Sequence, residues 1–229
     1  RVFNLSRKAE RQNVDGVRPS TKRRFIVSCD KVADRLTRCI TVSHPSGMFL
    51  AGKQFVPTHN SWSLLTEPLQ HVTNGNFGAV IFRRTNPEIT NEGGLWDESV
   101  KLYPLLQAEQ AGHSWRFDSG ASITFGALQL DKDVMKWHSS QVCLLCYDEL
   151  SSFTEKQFWY MLSRNRSTCG IRPYVRATTN PDADSWVAEL VSWWIDQETG
   201  YPILNRAGVL RWFVRVDDVL VWGDSAEEL

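Results

Sequence analysis

No stretch of this 229-residue sequence is apolar for long enough to span a bilayer, and its opening residues lack the pattern of a secretory leader. A membrane-embedded protein is therefore not expected. Cysteine is scarce: five residues, odd in number and scattered, make no disulfide framework and suit a reducing cytoplasm. Methionine is missing from position 1, where Arg1 stands, so the chain is expected to be a fragment of something longer. Net charge is also absent overall, but only because two unlike halves cancel. Residues 1–60 hold 12 Lys/Arg against 4 Asp/Glu (+8), while residues 61–229 hold 14 against 22 (−8). Tryptophan is absent from the first half, and all ten follow Ser61. Composition thus changes at one bond, Asn60–Ser61, and a domain boundary is placed there. At 42% hydrophobic residues, the chain can build one or two ordinary cores.

Residues 1–24 are polar and basic, with RPSTKRR at 18–24. Such a run reads as a solvated linker or as a nucleic-acid contact. Short β-type runs follow at Phe25–Ser28, Cys39–Val42, Met48–Leu50 and Gln54–Val56, punctuated by Pro45, Gly47 and Gly52. They predict a small all-β unit. Gly47 to Gln54 satisfies G-x-x-x-x-G-K, yet a phosphate-binding loop needs a hydroxyl where Gln54 stands and a helix where Pro57 follows. That reading is rejected.

The unit ends Thr58-His59-Asn60, directly before Ser61. An asparagine amide can attack its own backbone carbonyl and cleave the next peptide bond if a histidine assists, and a serine hydroxyl can accept an acyl group. The alternative is an ordinary turn. The longer stretch CITVSHPSGMFLAGKQFVPTHNS (39–61) resembles the C-terminal end of an intein, a self-splicing protein insert. The similarity covers about residues 25–60 and implies a Hint-like all-β segment, with residues 1–24 a linker or the end of an intein insert. Cys39 and Thr58 fit the inteins that start from an internal cysteine. The resemblance implies that Cys39 attacks the upstream junction, Ser61 receives the acyl group, and Asn60 cyclises with help from His59. The sequence departs from many inteins in lacking a histidine near Gly47.

After Ser61 the pattern is α/β. Helices are predicted at 61–74, 93–107, 155–166 and 184–197. Strands are predicted at 77–85, 142–150 and 173–181, with a hairpin over 115–128 turning at Asp118-Ser119-Gly120. The alternation implies a mostly parallel sheet with ligands at the strand C-terminal ends. Cys143 and Cys146 form C-x-x-C, but residues three apart on a strand face opposite ways, so a core role is expected. VCLLCYDEL reads as a strand buried on both faces and ending in two acids. Nucleotide hydrolysis needs one carboxylate to hold Mg²⁺ and another to activate water, and Asp148-Glu149 offers both. A charged strand end is the equal alternative. Thr178-Thr179-Asn180 ends the next strand with groups able to sense a γ-phosphate.

FGAVIFRRTNPEI, GGLWDESVKLYP, SGASITFG, YDELSSFTEKQFWYMLSRNRS and RPYVRATTNPDADSWVAELV together resemble the ATPase domain of tailed-phage terminase large subunits. The resemblance spans residues 61–229 and implies a P-loop-type ATPase using ATP and Mg²⁺. It implies Asp148 as the metal-associated acid, Glu149 as catalytic base, Thr179 and Asn180 in the coupling motif, and Arg83 and Arg84 near the nucleotide. It also implies double-stranded viral DNA, a small terminase subunit and a portal protein as partners, a homo-oligomeric ring, and location in the host cytoplasm. Two departures stand out: KWHSSQ lacks the glycine common near Ser139, and the Walker A glycines and lysine are missing. An intein lying between the lysine and serine of G-K-S accounts for the second, and would make Ser61 a magnesium ligand after splicing. A decayed, non-splicing relic and a DNA-binding module without catalysis are the competing readings.

Overall fold

The computed structural model describes residues 49–51, 56–58, 60–180 and 182–229, with side chains from Ser61 onward. Two short strands, β1 (Phe49–Ala51) and β2 (Val56–Thr58), pair antiparallel. This local pairing sits within the predicted all-β stretch, whose remaining residues lie outside the described ones.

The main body is a six-stranded sheet. Its strands are β3 (Gly78–Arg83), β4 (Glu109–Ala111), β5 (Ser114–Arg116), β6 (Ser122–Ala127), β7 (Leu144–Tyr147) and β8 (Tyr174–Ala177). They lie in the order β4-β5-β6-β3-β7-β8. The three junctions among β6, β3, β7 and β8 are parallel, and the two made by β5 are antiparallel. Alternation along the parallel strands divides the core in two. Ala79, Ile81, Ile123, Phe125, Leu144 and Cys146 face one cluster; Val80, Phe82, Leu145 and Tyr147 face the other. The first face is covered by α1 (Asn60–Thr66), α2 (Asn86–Thr90) and α3 (Leu95–Leu102) through Leu64, Leu65, Ile89 and Leu95. The second is covered by α4 (Glu155–Leu162) and α5 (Trp186–Leu190) through Phe158, Trp159, Met161 and Val187. Because both faces are covered, β7 is buried at all four positions, as its unbroken apolar run predicts.

The helices are shorter than predicted. The first gives way after Thr66 to a 3₁₀ turn, Glu67–His71, because Pro68 has no N–H to continue the ladder. Pro104 stops α3 in the same way, with a 3₁₀ turn at Tyr103–Leu106. The predicted helix over 184–197 breaks at Val191; beyond it Trp193 is stacked between Arg206 and Arg211, each 4.7 Å from its ring. Two helix starts follow local chemistry. Thr85 and Glu88 form one capping box, and Thr154 and Gln157 another. The hairpin turns where expected, with Gly120 at φ 100°. A second hairpin, β9 (Trp212–Val216) with β10 (Val219–Gly223), is additional to the predicted elements.

The face assignment of the two cysteines needs correction. Cys143 precedes β7, where strand alternation has not begun, and it joins the same core cluster as Cys146. Both remain free core thiols, and among the described residues no group of three side chains fit to hold a metal ion forms.

Candidate active site

Three strands end at the same edge of the sheet, and their next residues converge. Asp148 N donates to Phe82 O at 2.9 Å and Thr178 N donates to Tyr147 O at 2.9 Å, extending the ladders one step past β7. Asp148 therefore stands between Arg83, the last residue of β3, and Thr178, the first after β8. Its side chain is 1% exposed. An isolated carboxylate buried that deeply is costly, so its partners decide whether it stays charged.

Asp148 has three such partners from three elements. Thr178 Oγ1 donates to Oδ1 at 2.7 Å, and Ser61 Oγ in the first turn of α1 lies 3.1 Å from both carboxylate oxygens. Arg83 Nε lies 2.6 Å from Oδ2, but its N–H is not aimed along a hydrogen bond, so the contact is an ion pair. Arg83 Nη1 also reaches Glu149 Oε2 at 3.2 Å. One guanidinium thus faces two carboxylates, leaving the cluster one charge negative.

Glu149 occupies the left-handed region, φ 60° and ψ 67°, which is unfavourable for a residue with a long side chain. The strain is about 1–2 kcal/mol. The surrounding backbone enforces it: Glu149 N donates to Thr178 Oγ1 and Leu150 N donates to Thr178 O. The result turns the Glu149 side chain outward, 45% exposed, while Asp148 stays buried. Two adjacent acids thereby receive different environments, one fixed and one facing solvent.

Arg84 turns away from this cluster. Its Nη1 donates to Gln157 Oε1, and Gln157 also accepts from Thr154 N at 3.1 Å and donates to Leu128 O at 2.9 Å. Gln157 is 1% exposed, so these bonds replace all its solvent contacts. The Gln157→Leu variant leaves the Arg84 guanidinium, the Thr154 N–H and the Leu128 carbonyl short of a partner. It is expected to lose about 2–3 kcal/mol, read as a lower urea midpoint at unchanged slope. A loss below about 0.5 kcal/mol would mean water replaces these bonds without cost.

The structure brings together Ser61, Arg83, Asp148 and Glu149 from the residues singled out in the sequence. It does not bring Arg84, Thr179 or Asn180 to the acids; Thr179 Oγ1 instead donates to Asn180 O. Thr178 takes the position beside Asp148. It stood in the same T-T-N stretch but received no separate role, and only the register of β8 on β7 distinguishes it. Gln157 carried a sequence signal, T-x-x-Q, that fixes a helix start but not its grip on Arg84. Cys39 and His59 lie outside the described residues. Thr58 ends β2 and Asn60 opens α1.

The model of the terminase large subunit, T4likevirus-type, N-terminal family matches residues 60–219. The chain belongs to that family. The terminase large subunit family is one of phage ATPases, so the converging strand ends lie in an ATPase-family domain. A comparison with curated proteins gives no match. Among solved structures, the N-terminal domain of the DNA packaging ATPase from bacteriophage phi29 shares 13% identity over 71% of this chain and 82% of that one, with a TM-score of 0.45. The bacteriophage Phi-29 viral genome packaging motor assembly shares 12% identity over 70% of this chain, with a TM-score of 0.41; the chain spans 48% of that protein. Both scores lie below the level at which a common fold follows. Among the described residues no helix of the terminase domain is long and apolar enough to cross a membrane.

The donor set suits magnesium in kind. Mg²⁺ takes hard oxygen ligands, usually one or two carboxylates together with substrate phosphates. Asp148 offers a buried carboxylate, Ser61 a hydroxyl beside it, and the remaining negative charge favours a cation.

Proposed function

We propose that this chain is part of an intein-containing phage terminase large subunit whose mature domain hydrolyses ATP to move viral DNA. The observation that carries the reading is Ser61 Oγ 3.1 Å from both oxygens of Asp148, across a sequence separation of 87 residues. In a P-loop ATPase the serine after G-K holds Mg²⁺, and the strand-end aspartate faces the same ion. Ser61 stands where that serine would stand, although the residue before it is Asn60 and not lysine. The family match beginning at residue 60 adds support.

Magnesium supplies charge neutralisation on the phosphates when bound. The protein groups do the rest. Asp148 and Ser61 hold the metal position, and Thr178 fixes the aspartate oxygen nearest β8. Glu149, strained outward, accepts the proton of the attacking water. Arg83 keeps both acids charged and oriented until nucleotide enters. Thr179 and Asn180 couple the phosphate end of the site to movement, and Arg84 supports the nucleotide side through Gln157. Double-stranded DNA, a small terminase subunit, a portal protein and further copies in a ring are the proposed partners, in the host cytoplasm.

Residues 25–60 are proposed to be the end of the intein, preceded by the linker or insert end of residues 1–24. Cys39 takes the upstream acyl group, Ser61 receives it, and Asn60 cyclises with Thr58 and His59 assisting. Splicing would then join an upstream strand and G-x-x-x-x-G-K loop to Ser61. The sheet has room for that strand: β8 is its last member and its outer edge carries no described partner.

The test uses an intein-free fusion in which the upstream exon meets Ser61 directly. Phosphate release should be magnesium-dependent, and Ser61→Ala should raise the magnesium concentration needed for half-maximal turnover by about tenfold or more. Unchanged magnesium dependence in Ser61→Ala would remove the basis of the proposal.

A further inference from the structure

At the other end of β7, away from the acids, two thiols meet. Cys143 leads into β7, and Cys169 lies in the connection between α4 and β8. Cys169 Sγ lies 3.1 Å from Ser167 Oγ, and the thiols of Cys143 and Cys169 hydrogen-bond each other as well as Ser167. Cys143 Sγ also reaches Ile171 O at 3.7 Å.

Both backbones are held in place. Asn165 Nδ2 donates to Val142 O, Cys143 O and Tyr174 O, tying the start of β7 to the start of β8. Asn74 Nδ2 donates to Cys169 O at 2.8 Å, anchoring the loop from the opposite side. The thiols therefore stay close without depending on the mobility of either chain segment. Their surroundings differ. Cys143 is 3% exposed, while Cys169 is half-buried.

We propose that Cys169 and Cys143 are a thiol–disulfide exchange pair, with Cys169 the attacking thiol and Cys143 the resolving one, acting on low-molecular-weight disulfides such as oxidised glutathione. The Cys169 thiolate attacks one sulfur of the oxidant; a mixed disulfide forms and one thiolate leaves, taking up a proton. Cys143 then attacks the Cys169 sulfur, its proton passing to solvent and onward to the second departing thiolate. Two protein thiols and one small disulfide become one protein disulfide and two small thiols, so the oxidant takes up both electrons.

The environments match these roles. Burial pushes the Cys169 thiol up, but hydrogen bonds from Ser167 and the Ile171 N–H outweigh it and hold the thiol below its ordinary pKa. Burial, as the largest influence, keeps the Cys143 thiol above its own. A thiol rich in thiolate and reachable from solvent reacts first, and a buried neighbour resolves. The product would tie the entry of β7 to the loop before β8, on the far side of the sheet from Asp148. The proposal does not rest on ATP hydrolysis.

The test is mass spectrometry of the full chain carrying Cys29→Ser and Cys39→Ser, treated with oxidised glutathione. The expected product has lost two hydrogens and yields a cross-linked peptide joining Cys143 to Cys169. Adding Cys143→Ser should instead leave a stable glutathione adduct on Cys169, and adding Cys169→Ser should slow all modification at least about tenfold. Peptide mapping of the otherwise unsubstituted chain provides a check that does not depend on the serine variants folding. A persistent adduct on Cys169 with Cys143 present, or labelling that ignores Cys169, would overturn the proposal.

Discussion

The Glu149→Gln variant of the joined ATPase is expected to lose turnover by about two to four orders of magnitude, the usual contribution of a general base, while still binding nucleotide. The substituted amide keeps the shape of the side chain and can occupy the same left-handed backbone, so folding should change little. It cannot take a proton from water. The contact with Arg83 loses its charge but not its geometry, and Asp148 retains Arg83, Thr178 and Ser61. Metal holding and proton removal are thus separable in this arrangement, because the two acids sit in different environments. Steady-state phosphate release alongside fluorescent-nucleotide binding measures each part. Turnover within about tenfold of the parent would remove Glu149 from the role of base.

An equally large effect is expected at the other end of the proposed pathway. With the missing intein segment supplied, Asn60→Ala should abolish release of residues 1–60, because alanine has no amide to attack the backbone carbonyl. In the parent, the Asn60 side-chain nitrogen bonds to its own carbonyl carbon and the bond to the Ser61 nitrogen breaks. A proton passes to the departing amine, for which His59 is the nearest suitable group in sequence. His59→Ala is accordingly expected to slow release by about 10²- to 10⁴-fold without stopping it. Gel separation of precursor, branched species and joined product follows both variants. Joined product of normal yield from Asn60→Ala would reduce the segment to a non-splicing relic.

The sequence announces the elements whose physics is local. An unbroken apolar run ending in two acids marks β7, and threonine followed three residues later by Glu or Gln marks the starts of α2 and α4. Prolines at 68 and 104 carried the information that shortens two helices, but the apolar period continued through them and masked it. The β9–β10 hairpin had a readable signal in WFVRV-DD-VLVWG: alternation on either side of two residues that both adopt positive φ, 48° and 64°. What the sequence could not provide was register. Which of Thr178 and Thr179 faces Asp148 depends on how β8 lies against β7, a non-local matter. Cys143 shows the same limit, since the face of a residue just outside a strand is not set by strand alternation. Arg84 differs from Arg83 for the same reason: adjacent residues at a strand end point apart, one to the acids and the other to Gln157.

The unpartnered edge of β8 has a consequence for the handling of this chain. A strand edge displays alternating N–H and C=O groups that any extended peptide can satisfy, including the same edge of another molecule. Protection here is slight. Pro173 stands just before the strand, and the exposed Arg176 is paired with Glu67 at 3.1 Å, which reduces its value as a lone repelling charge. Until another strand covers it, that edge makes the unspliced protein prone to aggregate. Joining the chains would then serve solubility as well as catalysis.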